Sequence, residues 1–104
     1  MVAEKFVKED RAYLEWVEKC SNGYVINAKI NPRPGYLVLH RASCSSISEY
    51  KGRRKPGGFT ERKYIKVCAN SIEELRAWLK ETFGTGADFS RHRCRCDAFS
   101  DEQS

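Results

Sequence analysis

Tyr24-Val25-Ile26-Asn27-Ala28-Lys29-Ile30, then Asn31-Pro32-Arg33-Pro34-Gly35, then Tyr36-Leu37-Val38-Leu39-His40 is the stretch on which the fold turns. In the first run Tyr24, Ile26, Ala28 and Ile30 alternate with Val25, Asn27 and Lys29, a two-residue period that sends successive side chains to opposite faces of a sheet. The second run is almost wholly apolar, and the prolines and glycine between the two favour a turn. Together they read as a β-hairpin.

Upstream, Tyr13, Leu14, Val17 and Cys20 recur at three- and four-residue steps, which predicts a helix from Glu9 to Ser21 with Asn22-Gly23 as a left-handed stop. Downstream, Cys44 to Tyr50 suits a short helix, and Lys51-Gly52-Arg53-Arg54-Lys55-Pro56-Gly57-Gly58 has neither periodicity nor apolar content, as in an exposed loop. Tyr64 to Cys68 reads as a third strand. Ser71-Ile72-Glu73-Glu74 is a capping-box start to a helix from Ile72 to Phe83, whose apolar stripe is Ile72, Leu75, Leu79 and Phe83 with Trp78 beside it; Gly84 is placed to end it. The expected fold is α+β, in the order α-β-β-loop-β-α, with a three-stranded antiparallel sheet and a C-terminal tail pinned by zinc.

The 104 residues have room for one domain over the whole chain, with residues 1–8 and 97–104 as loose ends. The composition, 40% hydrophobic with 32% charged, supports a folded core rather than disorder. No apolar run approaches the ~20 residues needed to cross a bilayer. Charges occupy Met1 to Glu9, where a signal peptide would be apolar, so a cytoplasmic location is expected. Five cysteines, Cys20, Cys44, Cys68, Cys94 and Cys96, make an odd number without an export signal, which argues for metal ligation or buried thiols over a disulfide framework.

His40 and Cys44 end the second strand, and Cys94 and Cys96 lie close together near the C-terminus. Zinc takes four such ligands tetrahedrally, and two short-range pairs from distant parts of a chain would bring a tail without a core of its own onto the fold. Cys68 and His92 are alternates. Cys68 precedes a helix N-terminus that favours a thiolate, and His92 adjoins the pair. The plain alternative is that Cys20, Cys44 and Cys68 are small buried hydrophobes and His40 a hydrogen-bonded strand residue. A redox pair at Cys94 and Cys96, activated by Arg93 and Arg95, is a third reading.

With its histidine-ended strand, the later helix and the terminal cysteines, this set resembles a group of small bacterial zinc-binding modules found beside nuclease and restriction-type proteins. The resemblance runs from about Tyr36 to Cys96 and is carried by His40, Cys44, Cys94 and Cys96. It implies a structural zinc and a DNA-associated accessory role. The Cys-x-Cys spacing departs from the Cys-x-x-Cys more usual in such modules, which puts the use of both sulfurs in question.

The net charge of +5 is concentrated in one stretch, where Lys51, Arg53, Arg54, Lys55, Arg62, Lys63 and Lys66 face the single acid Glu61, with Tyr50, Phe59 and Tyr64 interspersed. Such a loop can grip phosphates and stack on bases, and Arg91, Arg93 and Arg95 would join the same surface if the tail folds back. Nucleic acid, most naturally DNA, is the expected partner, against a plain alternative of a solvated loop. Two other functions compete. Trp16, Trp78, Tyr13 and Tyr36 suit an anchor for a protein partner, although their spacing also suits a core. Glu61-Arg62-Lys63 with Glu49 matches the short acid-x-lysine element of metal-dependent nucleases, but these carboxylates flank a glycine-rich loop rather than sitting fixed on strands around an ion. The expected protein is therefore not an enzyme.

Overall fold

The computed structural model describes residues 3–33, 35–44, 47, 64–90, 96 and 98. In chain order the elements are β1 (Glu4–Phe6), α1 (Asp10–Lys19), β2 (Tyr24–Lys29), β3 (Leu37–Arg41), β4 (Tyr64–Ala69) and α2 (Ile72–Phe83). The strands form one sheet in the order β1-β4-β2-β3, with every neighbouring pair antiparallel. The hairpin closes in the register Ala28↔Leu37 to Tyr24↔Arg41. Because β2 is antiparallel to both neighbours, β3 and β4 run parallel with β2 between them. The connection from Arg41 to Tyr64 therefore begins and ends at opposite ends of the sheet.

Each face of the sheet has its own core. Ile26, Ala28, Leu37, Leu39, Ile65, Val67 and Ala69 point to one side and pack with Ile72, Leu75 and Leu79 of α2. Val25 and Cys68 point to the other and pack with Phe6, Ala42, Ile47 and the Tyr13 and Val17 stripe of α1. Leu75 and Leu79 are fully buried, and sealing such a side chain from water contributes about 1.5–3 kcal/mol. The Ser71 hydroxyl accepts from the Glu74 amide, as the capping pattern requires, and donates to the Glu74 carboxylate at 3.2 Å. Gly84 ends α2 at φ 96°, its N–H reaching the Lys80 carbonyl.

Three expectations change. The sheet has four strands, not three: Glu4–Phe6 pairs with β4 in a stretch expected to be a loose end. Only Phe6 of that strand is buried, and its ring meets Tyr13 edge-on at 5.9 Å, so no apolar period announces it. Ala98, also from a presumed loose end, is buried in the α2-side core. Asn22 and Gly23 are not left-handed. Gly23 is required instead by proximity, because a Cβ there would come within 2.8 Å of both the Ala69 carbonyl oxygen and the Trp16 ring. Backbone on one side and an indole on the other leave little room to relax. We expect Gly23→Ala to cost about 1–3 kcal/mol in urea denaturation, and an unchanged midpoint would show that the contact yields freely.

Candidate metal centre and the placement of the basic residues

Among the described residues no further strand pairs with the outer edge of β3, and Ser90 and Cys96 each contact that strand. Phe89 is buried in the α2-side core, and the Ser90 amide donates to the Leu37 carbonyl at 2.9 Å. At the other end of the strand, the Arg41 amide donates to Cys96 Sγ at 3.3 Å and Arg41 Nε to the Cys96 carbonyl at 2.7 Å. Leu37 and Arg41 are about 13 Å apart at ~3.3 Å per residue, and the step from Ser90 to Cys96 reaches about 20 Å when extended. Ser90 and Cys96 are thus tied to opposite ends of β3, and Phe89 and Ser90 follow Asp88, whose carboxylate lies 2.6 Å from Arg76 on α2.

The contacts with Arg41 place Cys96 beside His40 and Cys44. One ligand atom from each of the three lies within 4.8 Å of the others. His40 is buried on β3, whereas Cys44 and Cys96 are half-buried. Cys44 sits in the turn after β3, its amide donating to the Arg41 carbonyl at 2.9 Å. A tetrahedral ion with metal–sulfur bonds near 2.3 Å holds its sulfurs about 3.8 Å apart, so these atoms would have to close by at most about an ångström to share one ion. One imidazole and two thiols are the donors that borderline-soft ions prefer. The three residues can hold a metal ion.

Cys94 and His92 lie outside the described residues. Cys68 faces the same side of the sheet as His40, but Val25 of β2 stands between them in the ladder, so it is not part of the group. It is fully buried, and burial pushes its thiol up, with Glu4 adding to the shift. The helix-favoured thiolate expected there gives way to a core hydrophobe.

Of the basic residues, Lys51, Arg53, Arg54, Lys55, Arg62, Lys63, Arg91, Arg93 and Arg95 lie outside the described residues, as do Glu49 and Glu61 of the nuclease reading. Lys66 is the exception, and it is not on a surface. It is 3% exposed, its Nζ donates to Asn27 Oδ1 at 2.9 Å, and it stands 5.9 Å from the Tyr13 and Tyr64 rings. An expected phosphate contact is a buried cation, compensated by an amide oxygen and two ring faces. Tyr13, considered as an anchor for a protein partner, is fully buried, and its hydroxyl donates to the Ile47 carbonyl. Trp16 packs against Gly23, and Trp78 meets Phe83 edge-on at 5.8 Å. Among the described residues Ile30, 39% exposed, is the one large hydrophobe on the surface.

Burial of Cys68 has a consequence for stability. Above the ordinary thiol value of 9.0 the unfolded chain releases this proton while the folded chain keeps it, so stability is retained below that pH and falls above it. We expect Cys68→Ala to flatten the alkaline decline in the thermal midpoint. Native Cys68 should also resist alkylation that modifies Cys44 and Cys96 in the metal-free protein, and rapid labelling of Cys68 would contradict its burial.

Comparison with protein-family models, with curated proteins and with solved structures finds no match to this chain.

Proposed function

We propose that this chain is a nucleic-acid-binding accessory domain, most naturally for DNA, fastened by a structural zinc ion. The observation that carries the reading is the convergence of His40, Cys44 and Cys96 at the end of β3. The donor set suits zinc, and Cys94, two residues before Cys96, is the fourth ligand within easiest reach of the chain. The ion supplies a cross-link. It would tie the turn after β3 to Cys96, and a closed four-ligand site leaves no open position for catalysis.

The nucleic-acid part is supported by where cationic residues fall relative to fixed points. Arg91, Arg93 and Arg95 bridge Ser90 and Cys96, both held against β3. Lys51, Arg53, Arg54 and Lys55 lie in the connection between β3 and β4, with no acid among them. Arginine forks and lysine charges on a glycine-rich segment suit phosphate contacts without sequence reading. The resemblance to bacterial zinc-binding modules beside nucleases points the same way.

Two measurements test this. Metal analysis of protein purified without added ions should give one zinc per chain, with Cys44→Ser or Cys96→Ser abolishing it and lowering the thermal midpoint; a metal-free wild-type chain of equal stability would remove the zinc. In gel shifts, affinity should fall with salt at a logarithmic slope near −0.9 for each phosphate neutralised on duplex DNA or −0.7 on a single strand. Arg53→Ala/Arg54→Ala/Lys55→Ala should weaken binding with folding intact. Salt-independent binding, or none, contradicts the reading.

A further inference from the structure

The α1 side of the sheet is divided in two. At the Arg41 end, Val25 and Cys68 are sealed under Tyr13 and Val17 of α1. At the opposite end lie Tyr36, Lys29 and Tyr64, followed by Asn27 and Lys66 one step inward. Tyr36 and Tyr64 are half-buried and Lys29 is exposed. The tyrosine rings stand 5.9 Å apart, tilted by 38°, and Lys29 Nζ lies 5.7 Å from the Tyr36 ring centre. Asn27 connects the layers: its Oδ1 accepts from Lys66 and its Nδ2 donates to the Tyr36 hydroxyl at 3.4 Å. Burial, with the neighbouring Tyr64 adding to it, pushes the Tyr36 hydroxyl above the ordinary tyrosine range.

From this arrangement we infer that the Tyr36–Lys29–Tyr64 row is a platform for unpaired nucleobases, so that the nucleic acid bound is single-stranded; the inference rests on the nucleic-acid reading above. Two partly open rings, braced by the sheet and by Asn27, offer stacking surface that loses little freedom on binding. Every base has a face to stack, so such a platform is tolerant of sequence. Lys29, and Arg33 exposed in the adjoining turn, supply cations where a backbone threading past the rings would pass. Two further cations, Arg62 and Lys63, immediately precede Tyr64 in the chain. Bases inside a duplex are stacked on one another and present no face to a tyrosine lying on a sheet, whereas an unpaired strand does.

The test uses the full chain and an end-labelled oligodeoxythymidine of about 15 nucleotides, read by fluorescence anisotropy, with a duplex of the same length as competitor. Tyr36→Leu keeps apolar bulk but removes the ring, and should weaken binding about tenfold or more. Tyr36→Phe keeps the ring and loses only the Asn27 brace, so it should weaken binding much less than Tyr36→Leu. Lys29→Glu should weaken binding and reduce the salt slope by about 0.7, whereas Lys80→Glu, the same charge change on exposed α2 surface, should do neither. Thermal melts establish that each variant is folded. If the wild type binds and loses affinity on Arg53→Ala/Arg54→Ala/Lys55→Ala but not on Tyr36→Leu or Lys29→Glu, the platform is wrong and the broader reading stands. Preference for the duplex also overturns the platform. A wild type that binds neither probe overturns both.

Discussion

β2 is hydrogen-bonded along both edges, and its Val25, Ile26 and Ala28 are wholly excluded from water. A strand so placed has side chains on both faces that must be covered, and one helix cannot cover two faces. The molecule meets this demand with α2 on one side and α1 on the other, which is why its buried side chains divide into two clusters rather than one. The cost of misplacing either helix is large, because each exposes half of the central strand.

The same arrangement leaves edges to be managed. Unpaired backbone groups along a sheet edge invite pairing with another chain. Beyond β4 the edge is taken by β1, a three-residue strand whose Glu4 and Lys5 are exposed. Along β3 Ser90 contacts Leu37 and Cys96 contacts Arg41. The candidate metal centre lies at the Arg41 end of β3, where the two cores meet around the edge: Cys44 packs against the α1-side cluster and Cys96 against the α2-side cluster. A metal ion held by His40, Cys44 and Cys96 would therefore join the two halves of the molecule outside the sheet as well as through it.

Charge follows the same division of the sheet. Lys66 sits in a central strand where a solvated ammonium has no room, and it is accommodated because Asn27 and the rings of Tyr13 and Tyr64 surround it. Lys29, near the end of β2 and beyond the reach of α1, stays exposed beside Tyr36. Two lysines that look alike along the chain thus have different roles, one bracing the interior and one facing solvent.

The sequence by itself determined the hairpin, β4, both helices and the α2 caps, because each rests on a local period or a capping residue that a few neighbours decide. It also named His40, Cys44 and Cys96 as ligand candidates from their donor chemistry. Tertiary structure alone decided that Glu4–Phe6 is a strand, since two of its three residues face water and its one signal, Phe6, has meaning only against Tyr13. It separated Cys68 from His40 by inserting β2 between their strands, and it buried Lys66, whose neighbours in sequence are those of an open basic stretch. Strand order and burial depend on contacts between residues far apart in the chain, and no local pattern of charge or spacing encodes them.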